Sequence, residues 1–167
     1  QDVRPSTAPD QAHCEGSATA PALQSAHDRT RVLIERIRAA SYPEVNAAQI
    51  QVRPFESASD FFRARPRIPD FFIRQKLRYV IQVNPRAYAL QVPEDGVEAI
   101  MAHELGHVAY VKKRNRLRLL AMVRFLSGGF VRDFERRTDL EAISRGYGEG
   151  LKAYRQWLYQ HIPQKSL

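Results

Sequence analysis

The chain has little cysteine and no long hydrophobic run. Its 167 residues include one cysteine, Cys14, so no disulfide can form within the chain, and cysteine usage does not indicate the cellular compartment. No apolar stretch approaches the roughly 20 residues that a membrane-spanning helix requires. The chain starts with Gln1 rather than Met, which fits removal of a signal peptide and fits equally a sequence trimmed of an amino-terminal tail. Of the two, we favour the first and expect an exported protein, periplasmic or secreted.

Acidic residues are few relative to basic residues. Lys and Arg number 26 and Asp and Glu number 18, which gives a formal net charge of +8 and a pI near 10.0. A basic chain suits nucleic acid, an anionic membrane surface or acidic substrates. No motif of a nucleic-acid-binding fold accompanies the charge, and arginine is spread through the whole chain. Nucleic-acid binding is therefore not expected, and a steep salt dependence of affinity would be its signature.

The rest of the composition is that of one folded domain. Hydrophobic residues make up 44% and charged residues 26% of a chain long enough to bury its own core. Residues 1–26 are rich in Ala, Pro, Ser and Thr, and we expect this segment to be flexible or draped over the surface. The folded domain is then expected over residues 27–167.

Hydrophobic periodicity predicts a first helix and a last helix. Asp28 can cap a helix that runs to about Ala40 and is ended by Tyr42-Pro43. The core-facing stripe predicted for this helix is Val32, Leu33, Ile34 and Ile37. The apolar positions of the last helix are Leu151, Tyr154, Trp157, Leu158 and Ile162.

Two strands are predicted between these helices. One covers residues 50–55, where Pro54 favours an edge position, and the other covers residues 78–84. Pro66 and Pro69 indicate a turn between short strands or an irregular lobe. The paired phenylalanines of this region are expected to be core residues; they are Phe61, Phe62, Phe71 and Phe72.

Two histidines spaced one helical turn apart are the strongest functional signal. Residues 97–111 have the pattern of a helix and contain the sequence HELGH at 103–107, with an acidic helix start at residues 93–96. Positions four apart share a helix face, so both imidazoles can point at one place with Glu104 beside them. Two neutral imidazoles suit Zn²⁺, and the carboxylate can act as general base for water. Gly106 would let another helix approach closely. The competing interpretation is a chance spacing on a surface helix.

An acidic pair further along the chain can complete such a site. Residues 134–143 again have a helical pattern, and Glu135 and Asp139 lie four apart on one face. A catalytic zinc site needs three protein ligands and one open position. One carboxylate can bind the metal while the other accepts the free ring N–H of a ligating histidine. Like charges at this spacing repel, which favours a site over a plain solvated helix.

These motifs together resemble a known family. HELGH followed by Glu-x-x-x-Asp is similar to the signature of gluzincin metallopeptidases, in which a glutamate of a second helix is the third zinc ligand. Residues 135–151 resemble the corresponding helix, Gly-Tyr turn and following helix of the prenyl-protein and heat-shock membrane peptidase group. Those relatives carry transmembrane helices, and the small size of this chain is more similar to the soluble minigluzincins. The resemblance covers roughly residues 77–158. Thr138 departs from it, because the family usually has a small residue before the aspartate.

The resemblance implies a fold, a function and a set of site residues. The fold would be α+β and zincin-like, with a small sheet packed on the HExxH helix and a helical carboxy-terminal half. The function would be zinc-dependent hydrolysis of peptide bonds, with an endopeptidase expected. His103, His107 and Glu135 would hold one Zn²⁺ ion, Glu104 would be the general base, and Asp139 would orient a ligating histidine.

The resemblance also implies where a substrate would lie. In zincins, a strand just ahead of the HExxH helix forms the upper rim of the cleft, and an edge strand there can pair with an extended peptide. Residues 78–84 would supply this strand and would place Asn84 and Arg86 near bound peptide. Candidates for the donor that stabilises the oxyanion are Tyr147, Tyr154 and His161.

Two segments leave other roles open. Cys14 or His13 could reach an open metal position and hold an enzyme latent, although an exposed free thiol is the simpler interpretation. Residues 112–126 join a basic run to an apolar run, which suits either contact with an anionic membrane surface or a helix with one core-facing side. A non-catalytic zinc-binding regulatory or membrane-associated protein on the same scaffold is the alternative function. The intact Glu104 argues against it. The oligomeric state is not predicted.

Overall fold

A three-stranded sheet and a set of helices make up the structure, a computed structural model that describes residues 20–67, 78–113 and 128–162. In chain order the elements are α1 (Ala20–Ser41), a 3-10 turn (Ala47–Gln49), β1 (Ile50–Pro54), β2 (Phe62–Pro66), β3 (Tyr79–Val83), α2 (Arg86–Ala89), α3 (Glu94–Lys112), α4 (Gly128–Ala142), a π-helical turn (Ile143–Tyr147) and α5 (Gly148–His161). The predicted α+β class and the helical carboxy-terminal half are confirmed. Among the helices described, none combines the length and apolarity needed to cross a membrane.

The strand β3 lies in the middle of the sheet. The order is β1-β3-β2, with β1 parallel and β2 antiparallel to β3. Its predicted alternation is confirmed, since Tyr79, Ile81 and Val83 are buried. The expectation that this strand forms an edge is wrong, because both of its sides pair with neighbours. Pro54 ends the outer strand β1, as expected for a residue without an N–H to donate.

The helix α1 starts well before its predicted cap. It begins at Ala20, with a proline at its second position, where the missing N–H is not needed by the helix. The prediction that Asp28 caps the helix is therefore wrong: Asp28 lies in the helix interior and accepts a hydrogen bond from Gln24 at 3.2 Å. The predicted end is confirmed, because the helix stops at Ser41, directly before Tyr42-Pro43.

The apolar stripe of α1 is confirmed except at one position. Ile34 and Ile37 are almost fully buried in the main core, and Leu33 packs against that core. Val32 is 67% exposed, so its assignment to the core was wrong. The helix packs against both α3 and the sheet. At 3.6 residues per turn, Val32 lies roughly 160° around the helix axis from Ile34, so it faces solvent when Ile34 faces the core.

The helix α3, which carries HELGH, is the centre of the domain. It contacts α1, α4, α5 and β2, and it is buried around most of its circumference. The predicted start is confirmed: Pro93 precedes the helix, and Glu94 and Asp95 occupy its first turn, where the positive end of the helix dipole favours them. Because so many elements meet this helix, its functional side chains are fixed in position by the whole fold.

The last two helices are joined by a sharp turn. The helix α4 begins at Gly128, so the glycine pair starts this helix. Gly146 adopts a positive φ of 96° in the turn that follows, a conformation that glycine adopts readily. The helix α5 then buries Leu151, Tyr154 and Trp157, as its predicted pattern required.

The paired phenylalanines are confirmed as core residues where the structure describes them. Phe61 and Phe62 are both buried in the main core. Phe71 and Phe72 lie outside the described residues, as do Cys14, most of the segment 1–26 and all but the first two residues of the basic and apolar stretch 112–126.

We expect Gly150→Ala to destabilise the domain. A Cβ atom at this position would lie 2.3 Å from the Asp95 carbonyl oxygen and 2.7 Å from the Ala99 Cβ, so α5 would have to move away from α3. The free energy of unfolding should fall by about 1–3 kcal/mol in a denaturant titration. Gly148→Ala is the control, because its Cβ would meet Ile143 at 3.5 Å or more, an ordinary contact. Equal stability of the two variants would contradict the close packing.

Candidate metal centre

Three side chains from two helices converge on one point. The Nε2 atom of His103 lies 3.1 Å and that of His107 lies 3.5 Å from the Glu135 Oε2 atom. One ligand atom from each residue lies within 4.8 Å of the other two. The two imidazole rings stand perpendicular, with centroids 4.6 Å apart, as expected one turn apart on α3. This group could hold a metal ion.

The spacing and burial of the group fit a metal ion. Nitrogen and oxygen ligands about 2.0–2.1 Å from a tetrahedral ion lie roughly 3.3 Å from each other, close to the two distances above. His103 is buried and His107 is half-buried, whereas the Glu135 side chain is 49% exposed. The site is therefore held from one side and open on the side of Glu135, which leaves access for a small molecule.

The electrostatics of the group favour a positive charge at its centre. Hydrogen bonds from both histidines hold the pKa of Glu135 well below its usual range, so this residue is a carboxylate. Burial lowers the pKa of His103, but Asp139 and Glu135 outweigh burial and raise the pKa to about 9. Without a metal the site thus holds a proton, and a metal cation can take the place of that proton.

Asp139 lies next to His103. Its Oδ1 atom lies 2.9 Å from the His103 Nδ1 atom, within ion-pair distance, but among the described residues this Nδ1 atom has no hydrogen bond of good geometry. The role of Asp139 in orienting His103 therefore stays a prediction. Burial alone would raise the pKa of Asp139. The effects of His103 and of Arg155 of α5 are opposite and together larger, so the pKa is lowered and the group stays ionised. Arg155 also pairs directly with the Asp139 carboxylate. No pattern in the sequence indicates Arg155, because its helix meets Asp139 only in the folded chain.

Thr138 orients His107, a role that the sequence analysis missed. The Thr138 hydroxyl donates to the Phe134 carbonyl oxygen at 3.0 Å and lies 3.1 Å from the His107 Nδ1 atom. Since the hydroxyl hydrogen is already used, the hydroxyl can accept from an Nδ1–H, and Nε2 is the ring nitrogen that faces Glu135. The available signal was spacing: Thr138 lies three residues after Glu135, on the same helix face.

Gly106 allows this contact, as predicted. A Cβ atom there would lie 2.8 Å from the Thr138 Cγ2 atom, so a side chain would push α4 away from α3. The predicted close approach at Gly106 is thus what brings the histidines of α3 and the carboxylates of α4 together.

Glu104 is buried beside the metal group and is held by the sheet. It is 5% exposed, and the Ala64 backbone N–H donates to its Oε2 atom at 2.6 Å. Burial raises its pKa, while the neighbouring histidines and the Ala64 hydrogen bond act in the opposite direction; the net shift is upward. The sequence could not indicate Ala64, because only the folded sheet places β2 over α3.

Asn84 and Arg86, the two residues predicted to lie near bound peptide, make hydrogen bonds to the loop before β2. Asn84 is buried, and its amide donates to the carbonyl oxygens of Ser57 and Asp60 at 2.8 and 3.0 Å. Arg86 donates to the Ala58 carbonyl oxygen at 3.3 Å. Both contacts order the loop before β2, and the structure does not bring either side chain to the metal group.

Tyr154 is the oxyanion candidate whose pKa the charge of Glu104 affects. It is buried, and its burial together with the charge of Glu104 raises its pKa, so the hydroxyl keeps its proton. The Tyr147 hydroxyl lies 2.7 Å from the Ser41 hydroxyl, and the His161 Nδ1 atom lies 2.8 Å from the Trp157 carbonyl oxygen. Tyr147 thus links the π-helical turn to α1, and His161 makes a contact within α5.

Comparisons with known proteins identify no relative. No protein-family model, curated protein or solved structure matches the chain. The similarity to gluzincins therefore depends on the motifs, and the convergence of the three ligand side chains is a separate, structural observation.

We expect wild-type protein to bind about one zinc ion per chain and Glu135→Gln to bind much less. The substitution removes the only negative charge among the three ligands while keeping the shape of the side chain. Elemental analysis after dialysis would measure the number of zinc ions bound per chain. Glu149→Gln is the control, since the Glu149 side chain is 92% exposed on α5. Equal zinc in both variants would rule out Glu135 as a ligand.

We expect Thr138→Val to weaken zinc binding by about 10- to 100-fold, because it removes the hydroxyl that accepts from His107 and keeps the size of the side chain. A competition titration with a chromophoric chelator would measure the affinity. Thr138→Ser, which keeps the hydroxyl, should stay close to wild type. If Thr138→Val and Thr138→Ser bound zinc with the same affinity, the Thr138 hydroxyl would have no role in orienting His107.

Proposed function

We propose that this chain is a zinc-dependent metallopeptidase of the gluzincin type, on a zincin-like fold, that hydrolyses peptide bonds as an endopeptidase. The observation that carries the proposal is the group of two imidazoles and one carboxylate beside a buried fourth residue, Glu104. Each member of the group has the position that the HExxH and Glu-x-x-x-Asp motifs require of it.

The choice of zinc follows from the donor atoms. Two imidazole nitrogens and one carboxylate oxygen are the ligand set of many catalytic zinc sites, whereas Mg²⁺ and Ca²⁺ prefer oxygen ligands throughout. His103, His107 and Glu135 would hold the ion. When bound, Zn²⁺ would supply Lewis acidity, which polarises a carbonyl and lets water lose a proton near neutral pH.

Glu104 has the properties of the general base. Its carboxylate would take the proton from the attacking water and then deliver it to the leaving amine, as peptide hydrolysis requires. The raised pKa makes this carboxylate a stronger proton acceptor than an exposed glutamate. The Ala64 N–H holds one of its oxygens, so the side chain is kept in one orientation.

Tyr154 is our choice for the donor to the oxyanion. Stabilising the negative charge that develops on the carbonyl oxygen needs a donor that keeps its proton. The raised pKa of Tyr154 meets this condition; burial is the largest cause, and the charge of Glu104 adds to it.

The non-catalytic alternative is less well supported. Burying a carboxylate costs free energy unless the group is paired and hydrogen-bonded. A protein that only bound zinc would have no need for a buried Glu104 next to the ligands, and a glutamine there would bind the Ala64 N–H equally well.

We expect Glu104→Gln to reduce peptide hydrolysis by about 100-fold or more while zinc stays bound, because glutamine cannot accept the proton. A mixture of fluorogenic peptides, followed by mass spectrometry of the products, would detect cleavage. Glu98→Gln is the control on the same helix, since Glu98 pairs with Arg36 away from the site. Full activity of Glu104→Gln would overturn the mechanism. Zinc-loaded wild type that cleaves none of the peptides would favour the non-catalytic alternative.

A further inference from the structure

The outer face of the sheet carries a group of arginines. The strand register places Arg53 and Arg63 on either side of Gln82, and places Arg65 next to Val80 in the adjacent row. The opposite face of the same strands, which includes Ile81 and Phe62, is buried in the core. Because side chains alternate along a strand, the arginines all point away from the core.

The positive charge of this face is poorly neutralised. Arg53 and Arg65 are exposed, and in the part of the chain that the structure describes neither forms an ion pair. The Arg53 guanidinium donates to the neutral Gln51 amide at 3.3 Å. Arg63 lies 3.6 Å from Asp60, the one carboxylate paired with the three arginines among the described residues.

Arg63 is held in position on this face. Gln82 accepts from the Arg63 Nε atom at 2.8 Å, and the guanidinium lies 4.2 Å from the centroid of the Phe55 ring. Arg63 and Arg65 are two residues apart on one strand, roughly 7 Å, and Arg53 lies two strands away, roughly 10 Å. An extended peptide has side chains at the same two-residue spacing, and guanidinium groups pair closely with carboxylates.

The face suits an acidic peptide better than a nucleic acid or a membrane. Single-stranded nucleic acid is bound with open aromatic rings, and the Phe55 ring is covered by the Arg63 guanidinium. Peripheral membrane contact uses large apolar side chains that insert into lipid, and Val80 is the only apolar side chain between the arginines in the two rows.

We infer that this arginine face (Arg53, Arg63 and Arg65) binds acidic segments of the peptide substrate. The strand β2 connects the face to the proposed active site, since Ala64, between two of the arginines, donates to Glu104. The same strand thus carries two of the arginines on its outer side and holds the proposed general base through its backbone. The inference rests on the proposed function, because the bound peptide is taken to be a substrate.

The test is equilibrium binding of a fluorescein-labelled Glu-Gly repeat peptide to the full, metal-free chain, followed by fluorescence anisotropy. A Gln-Gly repeat of equal length is the neutral comparison. The wild type should bind the acidic peptide more tightly, and the double variant Arg53→Gln/Arg65→Gln should bind it about fivefold or more weakly. The matched control is Arg31→Gln/Arg132→Gln, which changes net charge equally at exposed positions on α1 and α4 and should lose less than about twofold.

The outcomes separate this inference from the proposed function. Equal losses in the two double variants, or equal affinity for both peptides, would overturn the inference even if Glu104-dependent hydrolysis were observed. A face that bound vesicles of phosphatidylserine and phosphatidylcholine, or single-stranded DNA, but not the acidic peptide would also overturn it. Selective binding at the face without any hydrolysis would support the binding surface and count against the peptidase.

Discussion

The close approach of α3 and α4 is the constraint on which the rest of the site depends. The two helices meet at Gly106, where a Cβ atom would collide with Thr138. Only at this separation can the carboxylate of Glu135 reach both histidine Nε2 atoms. The same approach brings Thr138 and Asp139 to the Nδ1 atoms of the two rings, so one packing contact sets the positions of the candidate ligands and of the side chains beside them.

The sheet imposes a second constraint, on the proposed base Glu104 rather than on the candidate metal ligands. The strand β2 packs over α3, and its Ala64 N–H fixes one oxygen of Glu104 in a buried position. Burial raises the pKa of this carboxylate. The pKa of Glu135 is lowered instead, because its side chain is exposed to solvent and is hydrogen-bonded with the two histidines. Two glutamates near one centre thus have opposite proton affinities because of their surroundings, which suits one to accept protons and the other to bind a cation.

The sequence predicted local structure best where periodicity was clear. The central strand, the helix around HELGH and the last helix follow from alternation and from the apolar spacing. The errors had two causes. Val32 faces solvent because it lies roughly 160° around the helix axis from Ile34, and β3 is paired on both sides because β2 packs antiparallel beside it. A helix start at Asp28 was predicted from capping chemistry, but capping residues also occur within helices when packing stabilises an earlier start.

The sequence alone determined the candidate ligands His103, His107 and Glu135, the base, and the partner Asp139, because residues four apart on a helix share a face whatever surrounds them. Only the tertiary structure decided which residues orient and hold these groups. Thr138, Arg155 and Ala64 act through contacts between separate elements, and no spacing along the chain records such contacts. The arginine face likewise forms only in the folded sheet. Its members are separated in sequence, and the pairing register of the three strands brings them close together.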